Sequence, residues 1–177
     1  LQGTRLSQIL ERQSVNVARA YVDANREGME WLLRFCADHD VEVQRRDAVT
    51  YAASGDQVGR ARAEEGAAHR LGLDARWVDR LEVPFPNAGG VLLADQAQFD
   101  PMDVLSALVR QIRAHGGSVH EGRRVTDVTR TGRPRLTLDG GGTMSADTVM
   151  LATGMPFLDR GLYFAKLKPL CSYALAF

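Results

Sequence analysis

The hydrophobic period of this chain changes after about residue 40, and any fold it adopts must join helices to sheet. Over residues 7–38, Ile9, Leu10, Val17, Tyr21, Ala24, Gly28, Leu32, Phe35 and Cys36 recur at helical spacing. That stripe predicts a long amphipathic helix, with Ser14 placed to cap a break within it. From residue 41 the signal is short and β-branched. Val41-Glu42-Val43 and Val49-Thr50-Tyr51-Ala52 predict two strands, and Ser54-Gly55-Asp56 a turn that caps a second helix over 57–71. This helix is polar and alanine-rich, so a surface position is expected. Asp74 opens a short turn through Trp77 and Val78. Pro84 and Pro86 forbid regular structure around Phe85, and Gly90-Val91-Leu92-Leu93 reads as a strand.

The next unit carries its own punctuation. Asp100-Pro101 is an aspartate cap followed by proline at the first helical position, and Gly116-Gly117 ends the helix. Val104, Leu105, Leu108, Val109 and Ile112 form its apolar face. Ser118-Val119-His120-Glu121 reads as a short strand. From Arg124 the pattern is β: Val125, Val128, Leu136 and Leu138 alternate with polar residues, with turns at Thr131-Gly132 and at Asp139-Gly140-Gly141-Gly142. Residues 147–154 then read as a buried, parallel-type strand ending in a tight turn. The fold class expected is α+β.

Composition excludes several functions. With 22 basic and 22 acidic residues in 177, no net field draws a polyanion, so neither nucleic acid nor a membrane surface is expected as partner. No apolar run is long enough to span a bilayer and no signal peptide opens the chain, which points to the cytoplasm. Cys36 and Cys171 read as buried thiols of a reducing compartment. His39, His69, His115 and His120 share no ligand spacing, so no metal is expected. There is no G-x-S-x-G elbow, no P-loop and no GxGxxG; the glycines at 140–142 lie between two strands and read as a hairpin turn.

The succession from Phe99 onward carries a resemblance. Phe99-Asp100-Pro101, a helix, Gly116-Gly117, Glu121-Gly122-Arg123-Arg124-Val125-Thr126-Asp127-Val128, a hairpin, then Ala146-Asp147-Thr148-Val149-Met150-Leu151-Ala152-Thr153-Gly154 resembles the middle of the D-amino-acid oxidase and glycine oxidase superfamily of FAD-dependent oxidoreductases. The stretch Asp95-Gln96-Ala97-Gln98-Phe99-Asp100-Pro101 and the run from Phe157 to Pro169 are similar to a narrower branch, whose members sometimes carry a C-terminal Rieske domain. The likeness is weak through residue 90 and more specific over 95–170.

That resemblance implies oxidation of an amine or amino-acid-like substrate by hydride transfer to flavin. It implies that Val125 meets the FAD adenine through main-chain groups beside Arg124, and that Thr153 and Gly154 pass close to the dinucleotide. Tyr51, on a strand of the substrate half, is the candidate for lining the substrate pocket. Arg45 and Arg46 are weaker candidates for a substrate carboxylate, and alternation along a strand lets at most one of them face it. Residues 1–98 are expected to hold the long helix and substrate-domain sheet, 99–155 part of the FAD-binding domain, and 156–177 a return to the substrate sheet.

The departures shape the expectation equally. The family's GxGxxG unit should precede residue 1 and a second flavin-contacting motif should follow residue 177. The chain opens on Leu1 and closes on an apolar run, Ser172-Tyr173-Ala174-Leu175-Ala176-Phe177, so it reads as an interior piece of a longer protein. Without the pyrophosphate cradle it is expected to bind FAD poorly alone and to be inactive. An open sheet edge could pair with a second copy. Two other readings stay open: a non-catalytic binding module that docks through its N-terminal helix, and a piece of a nicotinamide-linked reductase.

Overall fold

The computed structural model describes residues 3–129, 131–155, 157–158 and 161–167. The chain divides into two compact units, residues 1–117 and 118–177.

In the first unit, helix α1 (Arg5–Arg12) is followed by α2 (Val15–Asp38). Ser14 separates them, and its hydroxyl accepts from the Val17 N–H, so the cap read from the sequence is in place. Strand β1 (Val43–Tyr51), helix α3 (Val58–Arg70), strands β2 (Ala75–Val78) and β3 (Gly90–Phe99) and helix α4 (Pro101–Ala114) complete the unit. The three strands form an antiparallel sheet in the order β1-β3-β2.

Three expectations change here. The two strands predicted at 41–43 and 49–52 are one strand, β1, bent by a bulge where β3 inserts Ala94 and Asp95 against the single Asp47. The turn expected at 74–78 is strand β2, because Trp77 pairs with Val91 in the sheet. The strand at Gly90 runs on to Phe99. Helix α3 lies at the surface as expected, yet one face is inward: Ala61, Glu64, Ala67 and Ala68 are buried, the three alanines letting α3 approach its neighbours. Glu64, wholly buried, accepts from the N–H groups of Leu6 and Ser7, both at 2.8 Å. Its carboxylate thus satisfies two free donors at the start of α1, whose own Thr4 makes no side-chain cap.

Two apolar clusters hold the unit. Leu6, Ala18, Val22, Ala61, Ala68, Leu71 and Val91 belong to one, on the helix-covered face of the sheet. Cys36, Val41, Val104 and Ala107, with Phe99 and Val43 against them, form the other and tie α4 to α2. The Arg62 guanidinium lies 4.0 Å over the Trp77 ring, and Glu65 both pairs with Arg62 and accepts the Trp77 N–H at 2.8 Å. This clamp fixes β2 to α3.

Helix α4 begins as the sequence dictates. Asp100 accepts from Met102 at 2.8 Å with Pro101 next to it. It ends in a Schellman pair, Gly117 N–H to Ile112 C=O at 2.8 Å and Gly116 N–H to Arg113 C=O at 3.0 Å. Its apolar face differs from the expected one: Val104 and Ala107 are buried, whereas Leu105 and Ile112 are exposed.

The second unit contains a small antiparallel sheet, β4 (Val125–Val128), β5 (Arg135–Leu138) and β6 (Thr143–Ser145), in that order. Residues 118–121 form no strand. Nor do residues 147–154; Met150 is 88% exposed. A strand of that apolar pattern needs neighbours on both sides, and among the described residues none pairs with it. Most of 156–177, including Cys171, lies outside the described residues.

Candidate functional site

Strand alternation gives the first sheet two unlike faces. Thr50, Val91, Leu93 and Ala75 turn toward the helices. The register pairs Val49 with Leu92 and Tyr51 with Gly90 on β1 and β3, and Leu92 with Arg76 and Gly90 with Val78 on β3 and β2. Directly paired residues share a face, so these six occupy the opposite one. On the far side of the bulge Val43 and Phe99 pack against the α2–α4 cluster, and Gln96, the partner of Arg46, lines the cleft beside α2. Arg45 is held at the bulge by Asp95, 3.4 Å away.

Tyr51 ends β1 on this open face. Its ring meets Phe85 at 5.3 Å between centroids, tilted by 50°, and the two side chains belong to residues that are 48% and 44% exposed. Phe85 stands on the loop between β2 and β3, which is closely tied down. The Asn87 side-chain oxygen accepts from Gly89 N–H at 3.2 Å and from Leu81 N–H at 3.4 Å, and its amide donates to Phe85 C=O at 3.4 Å. Ala52 exchanges main-chain hydrogen bonds with Gly89 and Ala88, both at 2.9 Å. Gly89 has φ +94°, and a Cβ there would stand 2.6 Å from the Trp77 ring, so only glycine fits. Sequence reasoning singled out Tyr51 and passed over Phe85. The paired prolines marked the loop, but only the fold shows that it returns to Tyr51.

The remaining predicted residues lie in the second unit. Arg124 is exposed; its N–H donates to the Asp139 carboxylate at 3.2 Å and its C=O accepts from Asp139 N–H at 2.9 Å. Val125 pairs with Leu138, whose N–H goes instead to Gly142 at 2.8 Å. Alternation then turns the N–H and C=O of Val125 toward the outer edge of β4, the edge strand of its sheet. Thr153 and Gly154 are exposed. Met155 N–H reaches Thr153 C=O at 2.7 Å around Gly154, whose φ is +68°. This is a γ-turn of the kind that favours glycine.

Helix N-termini are the usual phosphate cradles, and those of the four described α-helices are taken. Glu64 occupies that of α1 and Ser14 caps α2. Asp100 and the amide-free Pro101 close α4, and Asp56 stands in the single turn of 3₁₀ helix that leads into α3. Carboxylates at three of these four ends repel a pyrophosphate. A separate cleft of about 320 Å³ opens between α2 and the β3 bulge, lined among others by Arg5, Tyr21, Met29 and Asp74.

The first unit is thus an α+β unit with one open sheet face, and the second carries a small sheet with an exposed edge. A crystal structure of glycine oxidase from Geobacillus kaustophilus superposes with a TM-score of 0.57 at 20% identity, covering 78% of this chain and 39% of that one. The model of the DAO family, FAD dependent oxidoreductase, matches residues 5–177. The chain belongs to that family. It is also 27% identical over 165 residues to the Bacillus subtilis (strain 168) protein named "Putative Rieske 2Fe-2S iron-sulfur protein YhfW". That match covers 92% of this chain and 32% of the relative, so the chain spans about a third of its length.

Proposed function

We propose that the chain is the substrate-platform portion of an FAD-dependent oxidoreductase that oxidises an amine or amino-acid-like compound. The observation that carries this reading is the family match over residues 5–177. The likeness in fold to a glycine oxidase points to amine oxidation in particular. On this reading the open face at Tyr51 receives the substrate, with Arg76 as a cation on the same face that a carboxylate could meet. The flavin, when bound, supplies the hydride acceptor; the protein orients and shields.

The second unit suits one part of the cofactor and not another. The outward N–H and C=O of Val125 match the donor–acceptor edge of a purine, with Arg124 beside it and the bare turn at Thr153-Gly154 allowing close approach of backbone to ligand. The pyrophosphate finds no open helix N-terminus among the described residues. The reading therefore assigns the adenine contact to this chain and the phosphate contact to other parts of the longer protein. The chain alone is accordingly a poor FAD binder and inactive.

The test is a visible spectrum of the full-length protein beside this chain incubated with excess FAD, followed by an oxidation screen over primary amines and amino acids. Flavin retained by the former and washed from the latter, with turnover of an amine, is the expected result. A full-length protein that stays colourless with FAD supplied overturns the assignment. Hydrogen peroxide release marks oxygen as acceptor. Turnover only with a one-electron dye favours the iron–sulfur acceptor suggested by the name of the Bacillus subtilis relative.

A further inference from the structure

Phe85 is an exposed aromatic residue held in place by more constraints than a solvent loop requires. Pro84 and Pro86 flank it and restrict the backbone on both sides. Asn87 ties its carbonyl to the amides of Leu81 and Gly89. Gly89 locks the loop under Trp77, which is itself clamped by Arg62 and Glu65. The outcome is a ring fixed 5.3 Å from that of Tyr51, with both left about half open to solvent.

A ring that served only to close the end of the sheet would gain most by being buried. Here the pair presents an apolar surface next to Val49 and Leu92 on the open face. A cation on the same face is Arg76, one strand and two register positions from Gly90 and two strands from Tyr51. At the Tyr51 end the face is apolar and ringed; the polar residues Arg46, Gln96, Gln44 and Gln98 lie beyond the bulge.

We propose that Phe85, packed against Tyr51, is the specificity-determining residue of the substrate platform and selects amines that carry an aryl or large alkyl substituent. The inference rests on the amine-oxidase reading and deepens it. Asn87 acts through Phe85 as a positioning residue. A compound with only a methyl group beside its amine leaves the two rings uncovered, whereas a benzyl group removes them from water.

The test compares methylamine and benzylamine as substrates of the full-length flavoprotein and of its Phe85→Ala and Phe85→Leu variants. Phe85→Ala is expected to raise KM for benzylamine about tenfold, the contrast one apolar contact can carry, with kcat and the methylamine KM within about twofold. Phe85→Leu, which keeps an apolar side chain and guards against a folding defect, is expected to restore most of the preference. Equal losses for both amines in both variants, or no change in either, overturn the proposal. Should the unaltered protein oxidise neither amine, nor any compound of the amine and amino-acid screen, the oxidase reading falls and the Phe85–Tyr51 pair is judged by binding alone. The probe is then 4-fluorobenzylamine, observed by fluorine NMR. Line broadening that Phe85→Ala abolishes and Phe85→Leu keeps sustains the apolar selection; broadening absent, or unaffected by Phe85→Ala, overturns it.

Discussion

Glu64 shows how one residue can decide the placement of an element. Its carboxylate is wholly enclosed and satisfies the Leu6 and Ser7 amides at once. Glu64→Ala leaves two buried donors unpaired and opens a void, a loss of about 2–4 kcal/mol of unfolding free energy. Glu64→Gln keeps one acceptor and is expected to lose less, about 1–2 kcal/mol. Urea denaturation of the three proteins measures both. Nothing in the sequence distinguishes Glu64 from Glu65, its neighbour on an alanine-rich helix, because the partner lies 57 residues away in sequence. The same limit governs the site. Tyr51 is legible as an aromatic residue on a strand, but Phe85 joins it only once β2 and β3 pair. Arg45 and Arg46 were separable in principle by alternation, yet the Asp95 carboxylate that meets Arg45 is placed by a bulge in β3.

At the scale of elements, helix ends were legible and strand extents were not. Ser14, Asp100-Pro101 and Gly116-Gly117 act through bonds to residues within five positions, so local sequence specifies them. Asp100→Ala should therefore cost about 1 kcal/mol, and Asp100→Asn, which still accepts from Met102, only a few tenths. Thermal unfolding followed by circular dichroism resolves that difference. Strands depend on partners. Residues 41–52 read as two strands because Arg45-Arg46-Asp47 interrupts the apolar pattern, but β3 supplies the pairing that carries β1 through. Conversely, Ser118–Glu121 and residues 147–154 have strand-like composition and no strand beside them among the described residues. Composition cannot reveal a missing neighbour.

The whole molecule leaves apolar surface that its own folding does not cover. In the first unit α4 is apolar on two sides. Val104 and Ala107 are buried against α2, while Met102, Leu105 and Ile112 form an outward stripe at positions i, i+3 and i+10, with Leu105 51% exposed. A helix that is apolar on both sides fits between two layers. Val17 and Trp31 on α2 are also exposed, as a docking helix would require, but the family match assigns the chain to an enzyme class and leaves the binding-module reading without separate support. The open edge of β1 is another surface on which a second copy could pair. That strand carries Arg45, Arg46 and Asp47, charges of the kind that discourage edge pairing. Association of this chain in isolation is thus expected through α4. Light scattering should show an average mass that rises with concentration, and Leu105→Glu, which sets a charge in the middle of the stripe, should return it to that of the monomer. An unaltered mass in Leu105→Glu, reduced instead by a charge placed at Val49, would move the contact to the sheet. A chain monomeric at every concentration would mean that the stripe, although exposed, is too small to hold a second copy.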